Sequence, residues 1–259
     1  MAEQSTPIDA TARFSSRVDD YVRYRPDYPA ALLGWLQHEH GVDSHWHVAD
    51  MGAGTGISCK MFLDAGFDVT AVEPNDAMRG AAEQWLHDYG KFVATKGTAA
   101  ATGLSDASVD LITVAQAFHW FDEQLVRREF ARILRPGGLV AIWWNSRRLA
   151  GTPFLAGYEA LLLKYSSEYG RVAERYADDA RMRAWFGAGF RGSAHFDHGQ
   201  QLDFDALRGR LMSSSYAPLA GHAQHESMLR ALRDLFDNCA QQGTASFDYD
   251  TRIFVGELA

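Results

Sequence analysis

Between about residues 45 and 145, short apolar, β-branched runs alternate with longer amphipathic ones, a pattern that limits the chain to βαβ units around a parallel sheet. Five strands read from it: 45–50, 67–73, 91–95, 109–115 and 139–145. Their near-continuous apolar character fits strands covered on both faces. The helices between them carry start and stop signals. The first follows a glycine turn and stops at Gly66, the second opens at Asn75-Asp76 and ends at Gly90, and the third opens at Asp122 and ends before Arg135-Pro136-Gly137-Gly138. Ahead of this block, Arg25-Pro26-Asp27-Tyr28-Pro29 breaks one short helix and starts another, with Asp27 as the expected cap and Gly41 as the stop. After Asn145 the alternation lapses: 153–168 and 222–242 have helical periodicity, while 193–198 and 247–254 read as two further strands. The expected architecture is α/β, a doubly wound, seven-stranded, mostly parallel sheet with a helical lid, forming one domain over residues 1–259. Within it, 1–41 supplies N-terminal lid helices, 42–145 a cofactor-binding core, and 146–259 a helical cap and the last two strands. Open sheets of this kind bind ligands outside the carboxyl ends of their strands.

Composition bounds the function. A hydrophobic fraction of 47% and a charged fraction of 22% over 259 residues support a packed core and exclude whole-chain disorder. Lys+Arg number 25 against Asp+Glu 33, a net charge of -8 that repels phosphate backbones and anionic membrane surfaces. No basic stripe overrides it; the densest pairs are Arg127-Arg128 and Arg147-Arg148. Nucleic acid and membrane are therefore not expected partners. The opening MAEQSTPIDATA lacks the basic and apolar regions of a signal peptide, and no apolar run approaches the ~18 residues that span a bilayer, so a cytoplasmic monomer or homodimer is expected. Cys59 and Cys239 have neither CxxC spacing nor the number for a disulfide framework, and no carboxylate/His cluster has metal-ligand spacing. No metal is expected.

Strand one delivers Val48-Ala49-Asp50-Met51-Gly52-Ala53-Gly54-Thr55-Gly56, a glycine turn that leads straight into a helix and lets backbone approach a ligand closely. The nicotinamide-dinucleotide fingerprint would require glycine at position 57, where Ile57 stands. Asp50, two places before the first glycine, suits a ligand carrying a positive ammonium and sulfonium better than a pyrophosphate. Glu73 ends strand two, 23 residues after Asp50, where a carboxylate accepts both hydroxyls of a ribose. Either feature alone is an ordinary tight turn or a solvated strand end. Together, in register, they favour S-adenosylmethionine.

The order VADMGAGTG, VTAVEPNDAM, GTAAATGLSDASVDLITVAQAFHWFD and RILRPGGLVAIWWN resembles the class I, seven-stranded, S-adenosylmethionine-dependent methyltransferase family, with its Rossmann-like fold, over roughly residues 14 to 150. FSSRVDDYVRYRPDYP and AFHWFD are similar to the type-11 small-molecule branch that includes trans-aconitate methyltransferases, as are GRLMSSSYAP and YDTRIFVG. The resemblance implies that Asp50, Gly52 and Gly54 line the methionine moiety and that Glu73 holds the ribose. It places Thr98 and Ala99 beside adenine, Asn75 and Met78 over the adenosine, and Gln116 and Ala117 at the methionine end. Tyr21, Arg25, Ala53, Gly56 and Pro74 complete the expected cofactor site. The branch often carries a Glu where Ala100 stands, so any polar contact of that Glu is missing here.

Methyl transfer is an in-line displacement, so the protein mainly aligns the reactants and excludes water. A carboxylate acceptor is already anionic at pH 7; a phenol or amine needs a base. His119, after strand four, is either that base or a packing residue of the AFHWF turn. Phe14, Tyr21, Tyr24 and Tyr28 form either a lid over the sulfonium or a small aromatic core. Tyr28, Trp120, Trp144, Asn145 and Tyr216 are the expected acceptor-site residues, although Trp143 and Trp144 alternate across a strand and only one of them can face a pocket. Arg25, Arg147 and Arg210 are candidate clamps for an acidic acceptor, or solvated surface arginines. The expected function is methyl transfer to an oxygen, carboxylate or phenol, of a small molecule. The competing readings are a nicotinamide-dependent oxidoreductase and a non-catalytic S-adenosylmethionine-binding module.

Overall fold

The computed structural model describes residues 18–166, 168–169 and 179–258. Phe14 and the side chain of Tyr21, expected in a lid or a small aromatic core and, for Tyr21, at the cofactor, lie outside what is described. The strands are β1 (His47–Met51), β2 (Asp68–Val72), β3 (Phe92–Thr95), β4 (Val109–Ala115), β5 (Leu134–Arg147), β6 (Phe190–Leu202) and β7 (Ala245–Gly256). They form one sheet in the order β3-β2-β1-β4-β5-β7-β6. Pairings from β3 through β5 are parallel, and β7 runs antiparallel to both β5 and β6. This is the doubly wound, mostly parallel sheet expected, and its strand order reverses at β1/β4, where such sheets open a ligand crevice.

The described helices are α1 (Val18–Tyr24), α2 (Ala30–His40), α3 (Ile57–Asp64), α4 (Asp76–Trp85), α5 (Glu123–Ile133), α6 (Pro153–Tyr165), α7 (Asp179–Phe186), α8 (Phe204–Met212) and α9 (His225–Cys239). No described helix is long and apolar enough to cross a membrane. Asn75 and Asp122 open α4 and α5 as the sequence implies, each accepting backbone N–H bonds from the first helical turn. Gly41 stops α2 in the left-handed conformation with φ 65°, donating its N–H to the Leu36 carbonyl. Asp27 does not cap α2. Pro29 occupies that position, and the Asp27 carboxylate reaches His198 of β6 instead, 3.0 Å away.

Consecutive strand residues feed opposite faces. Trp144 packs with Phe118, Trp185 and Phe254 on one face, while Trp143 packs with Phe62, Val48 and Leu36 on the other. A third core of Phe154, Tyr158, Leu207, Met228, Leu232 and Phe247 joins α6, α8 and α9 to β7. It exists because β5 outruns its neighbour: β4 ends opposite Trp143, whereas β5 continues to Arg147, which pairs with Tyr249. β5 also starts earlier than the sequence implies, at Leu134, with residues 135–138 absorbed by a register shift between Val109 and Leu111. α7 and α8 were not anticipated. β6 extends over 190–202 and β7 over 245–256, beyond the expected bounds, because these two antiparallel strands alternate in burial and lack the apolar runs of the centre.

Candidate functional site

The glycine turn leaves β1 with Gly52 at φ 66° and Gly54 at φ 58°, a region that side-chain-bearing residues rarely adopt. A Cβ on Gly54 would meet nothing within 4 Å, so its face is open to a ligand. One on Gly56 would stand 2.6 Å from Leu86 Cδ1, which makes Gly56 a packing glycine. Gly54 donates its N–H to Glu73 Oε2 at 2.9 Å, and Asn75 donates its N–H to Oε1 at 2.8 Å. Glu73 is thereby fixed at the tip of β2 beneath the turn. Burial raises its carboxyl above the ordinary glutamate range, and those two backbone bonds partly offset the rise.

A cavity of about 410 Å³ opens at this point, within the range of roughly 300–1,000 Å³ usual for small-molecule and cofactor sites. Gly52, Gly54, Glu73, Pro74, Asn75, Met78, Thr98, Ala99, Gln116 and Ala117 all line it. So do Ala100, Phe121, Asp122 and Val126, which the sequence reading did not place there. Phe121 and Asp122 had a signal in AFHWFD, where Asp122 opens a helix directly after strand four. Four described residues expected at the cofactor, Asp50, Ala53, Gly56 and Arg25, do not line this cavity. Asp50 is fully buried and accepts bonds from Ser58 Oγ (2.5 Å), Thr113 Oγ1 (2.6 Å) and Cys59 Sγ (3.4 Å), tying β1 to β4 and α3. Ala53 belongs to the core beside Leu32 and Cys59, and Gly56 packs as described. Asp50, Ala53 and Gly56 are all buried in support of the turn.

A second cavity of about 270 Å³ shares Gln116 and Trp120 with the first. Its wall includes Arg25, Tyr28, His119, Asn145 and Tyr216 from the sequence reading, and also Ile57, Leu149, Tyr169, Ser215 and Tyr249. Arg25 was expected on the cofactor; it lines this second cavity and donates to the Ser213 carbonyl at 2.9 Å. Trp144 was expected to face an acceptor, but it is 2% exposed and closed into the core by Phe118 and Phe254. Trp143 is equally enclosed, with Tyr28 edge-on to it at 5.5 Å.

Gln116 stands where the cavities meet, at φ 61°, a conformation that costs a non-glycine residue on the order of 1–2 kcal/mol. Two bonds hold it: its N–H to the Trp143 carbonyl at 3.0 Å, and its Nε2 to the Asn145 carbonyl at 3.1 Å. Asn145 in turn donates Nδ2 to the Asp27 carbonyl and accepts from Thr251 Oγ1 at 2.6 Å. The strap at residues 24–28 is thus pinned over the second cavity from β5, β6 and α8. At α8 the contact depends on Gly209, where a Cβ would stand 2.1 Å from Tyr24.

All three candidate arginine clamps, Arg25, Arg147 and Arg210, converge on this cavity. Arg147 pairs with Glu159 and donates to Tyr169 Oη at 2.7 Å. Arg210 is 7% exposed and donates Nε to Tyr249 Oη at 3.0 Å and a terminal N–H to Ser214 Oγ at 3.1 Å. Tyr169 carried no local sequence signal, and Tyr249, which opens the quoted segment YDTRIFVG, was not singled out as a site residue.

Residues 49–142 match the family described as Methyltransferase domain. An uncharacterised methyltransferase of Mycobacterium bovis is 40% identical over 143 residues, 54% of each chain, and a methyltransferase-like protein of Schizosaccharomyces pombe is 32% identical over 148 residues, 57% of this chain and 55% of that one. The chain thus spans about half the length of the curated relatives it matches. A structure from Anaeromyxobacter dehalogenans, provisionally assigned as a type II methyltransferase, superposes with a TM-score of 0.68 at 23% identity, covering 91% of this chain and 98% of that one. That likeness speaks to the fold alone. Residues 49–142 are therefore similar to the Methyltransferase domain family, and they lie within a Rossmann-like seven-stranded fold.

Proposed function

We propose that this chain is an S-adenosylmethionine-dependent methyltransferase acting on an oxygen of a small organic acid. The observation that carries the reading is the pair of cavities joined at Gln116 and Trp120, one built on the glycine turn and Glu73 and the other on arginines. The first cavity fits the adenosyl group in its donors. The Glu73 oxygens each take one backbone N–H and retain lone pairs for ribose hydroxyls. Met78, Ala99 and Phe121 supply apolar walls for a purine, and the open face of Gly54 admits close approach. When bound, S-adenosylmethionine supplies a methyl carbon activated by a sulfonium. The protein's own part is to orient and to exclude water.

Within the second cavity, Trp120 and Tyr28 shield the shared wall and the arginines attract an anion. His119 lies on the same wall. A carboxylate acceptor asks no proton transfer of it; a phenol acceptor would make it the base. The space beyond Gln116 favours an enzyme over a sensing module, and Ile57, at the start of α3 on the second cavity's wall, occupies the place a dinucleotide fingerprint reserves for glycine. The net charge of -8 favours a small molecule over nucleic acid as acceptor.

The test is twofold. Calorimetry should show S-adenosylhomocysteine binding and no binding of NAD. A screen of carboxylic acids, phenols and amines, read by S-adenosylhomocysteine release, should give its strongest turnover among the acids. Turnover confined to amines would overturn the oxygen assignment.

A further inference from the structure

Resting on the methyl-transfer reading above, we infer that Arg210 holds a negatively charged group of the acceptor other than the oxygen that takes the methyl group. The acceptor is thus a small organic acid with a persistent anion and, apart from it, a nucleophilic oxygen.

Arg210 is the buried cation whose electrostatic balance is incomplete. Its bonded partners, the Tyr249 and Ser214 hydroxyls, are neutral, and among the described residues no carboxylate lies within ion-pair distance of it. Arg147, on the same wall, has Glu159. Burial acts against the Arg210 charge, but a guanidinium keeps its proton throughout the physiological range, so it stays charged. A guanidinium has five N–H donors, and the bonds to Tyr249 and Ser214 leave others to meet a ligand in the cavity that Arg210 lines. Tyr249 donates its own O–H to Gln200 Oε1 at 3.1 Å, which leaves a lone pair on its oxygen for Arg210. A buried cation without a carboxylate is costly to hold, and an anionic ligand in this cavity would complete it.

Its partner Tyr249 pairs further along β5 than the residue that holds Gln116. The first cavity is reached through Gln116, whose N–H is held by the Trp143 carbonyl. Tyr249, the partner of Arg210, pairs with Arg147 in the sheet, four residues further along β5 and roughly 13 Å of extended chain away. The chemistry requires this separation. A carboxylate that accepts a methyl group becomes a neutral ester: its lone pair forms the new O–C bond, the S–C bond breaks with its pair left on sulfur, and no proton moves. A cation bonded to that same carboxylate would stabilise the reactant more than the transition state, in which the negative charge is vanishing, and would slow the step. A cation bonded to an anion that persists binds both states alike and orients the acceptor.

The experiment is calorimetric titration of the full chain with 4-hydroxybenzoate and glutarate, each against its neutral methyl ester, methyl 4-hydroxybenzoate and dimethyl glutarate. At least one acid should bind at least tenfold more tightly than its ester; the preference should vanish in Arg210→Gln and return in part in Arg210→Lys. S-adenosylhomocysteine affinity should stay within about twofold in both variants, which shows that they are folded. Butyrate, with one anion and no second nucleophile, should bind without being esterified. Acids binding no better than esters, a preference that survives Arg210→Gln, or Arg210-dependent methylation of butyrate would each overturn the assignment. S-adenosylhomocysteine reports separately on the methyl-transfer reading. Its failure to bind the unsubstituted protein defeats that reading, whereas a missing acid preference beside normal S-adenosylhomocysteine binding defeats only the role given to Arg210.

Discussion

The two cavities are built in different ways from the same sheet. The first draws its walls from one stretch, Gly52 to Val126, and presents turns, small side chains and one strand-end carboxylate. The second combines Arg25, Asn145, Tyr169, Arg210 and Tyr249, side chains from segments far apart in the chain, around a buried charge. The stretch that matches the methyltransferase family, 49–142, contains the whole first cavity and only Ile57, Gln116, His119 and Trp120 of the second. Turn geometry that a shared ligand demands leaves a local and repeatable pattern. Side-chain chemistry assembled from elements far apart in the chain leaves no single local pattern, and it is there that a fold changes its substrate.

The largest expected effect breaks the first cavity alone. Gly54→Val puts a branched side chain at φ 58° into the ligand's space, so S-adenosylhomocysteine affinity should fall at least 100-fold, about 2.7 kcal/mol, while the far-ultraviolet circular dichroism stays that of a folded chain. Loss of the folded spectrum would move Gly54 from ligand approach to turn formation.

Next comes Glu73→Gln, which should cost roughly 1.5–3 kcal/mol of S-adenosylhomocysteine binding, the usual range for hydrogen bonds to a charged group. Because burial raises the Glu73 carboxyl above its ordinary range, it takes up its proton at a higher pH than a free glutamate does. Affinity in the unsubstituted protein should therefore decline as pH falls toward that raised value, and the decline should be absent from the Gln variant. Titrations across acidic pH separate the two outcomes.

Arg210→Met sharpens the contrast from the other side. Removing a buried cation that lacks a carboxylate should stabilise the ligand-free protein by about 1 kcal/mol, a rise of roughly 2–4 °C in the thermal midpoint, even as acid binding is lost. The equivalent change at Arg147 should destabilise, since it strands Glu159. A fall in the midpoint for Arg210→Met would mean that its bonds to Tyr249 and Ser214 outweigh its charge.

The smallest effect concerns the strap. The bond from His198 holds the Asp27 carboxyl below the usual carboxylate range against its partial burial. A depressed carboxyl stabilises the fold above its unfolded value near pH 4, and this contribution disappears as pH falls through the folded value. For so exposed a pair it amounts to about 0.2–1 kcal/mol. Asp27→Asn should therefore lower the midpoint slightly at pH 6 and match the unsubstituted protein near pH 3, as scanning calorimetry would show.

How much was legible in the sequence follows the same division. Asn75 and Asp122 announced helix starts because a short side chain that accepts from the next turn is a local device. Glu73 was legible as a site residue because it ends a strand at a fixed remove from the glycines. Asp50 was legible as an important acid but not as a buried brace, since its partners Ser58 and Thr113 lie on two other elements. Trp144 misled because strand parity says that one of two tryptophans faces each side, not what covers that side; here α5 and α7 do. Asp27 misled because a tertiary partner, His198, outcompeted the local cap. Helix α8, with the buried Arg210, was missed because only the extension of β5 and β7 gives it a surface to pack on.

That Gln116 and Trp120 belong to both chambers ties their occupants together thermodynamically. A rotation of either side chain reshapes both spaces at once, and the left-handed backbone at Gln116 gives the peptide few conformations to choose from. By linkage, any factor by which the first occupant raises the affinity of the second is the factor by which the second raises that of the first. Order of addition then changes the route to the ternary complex but not its total binding free energy, and one titration performed in both directions must return the same coupling.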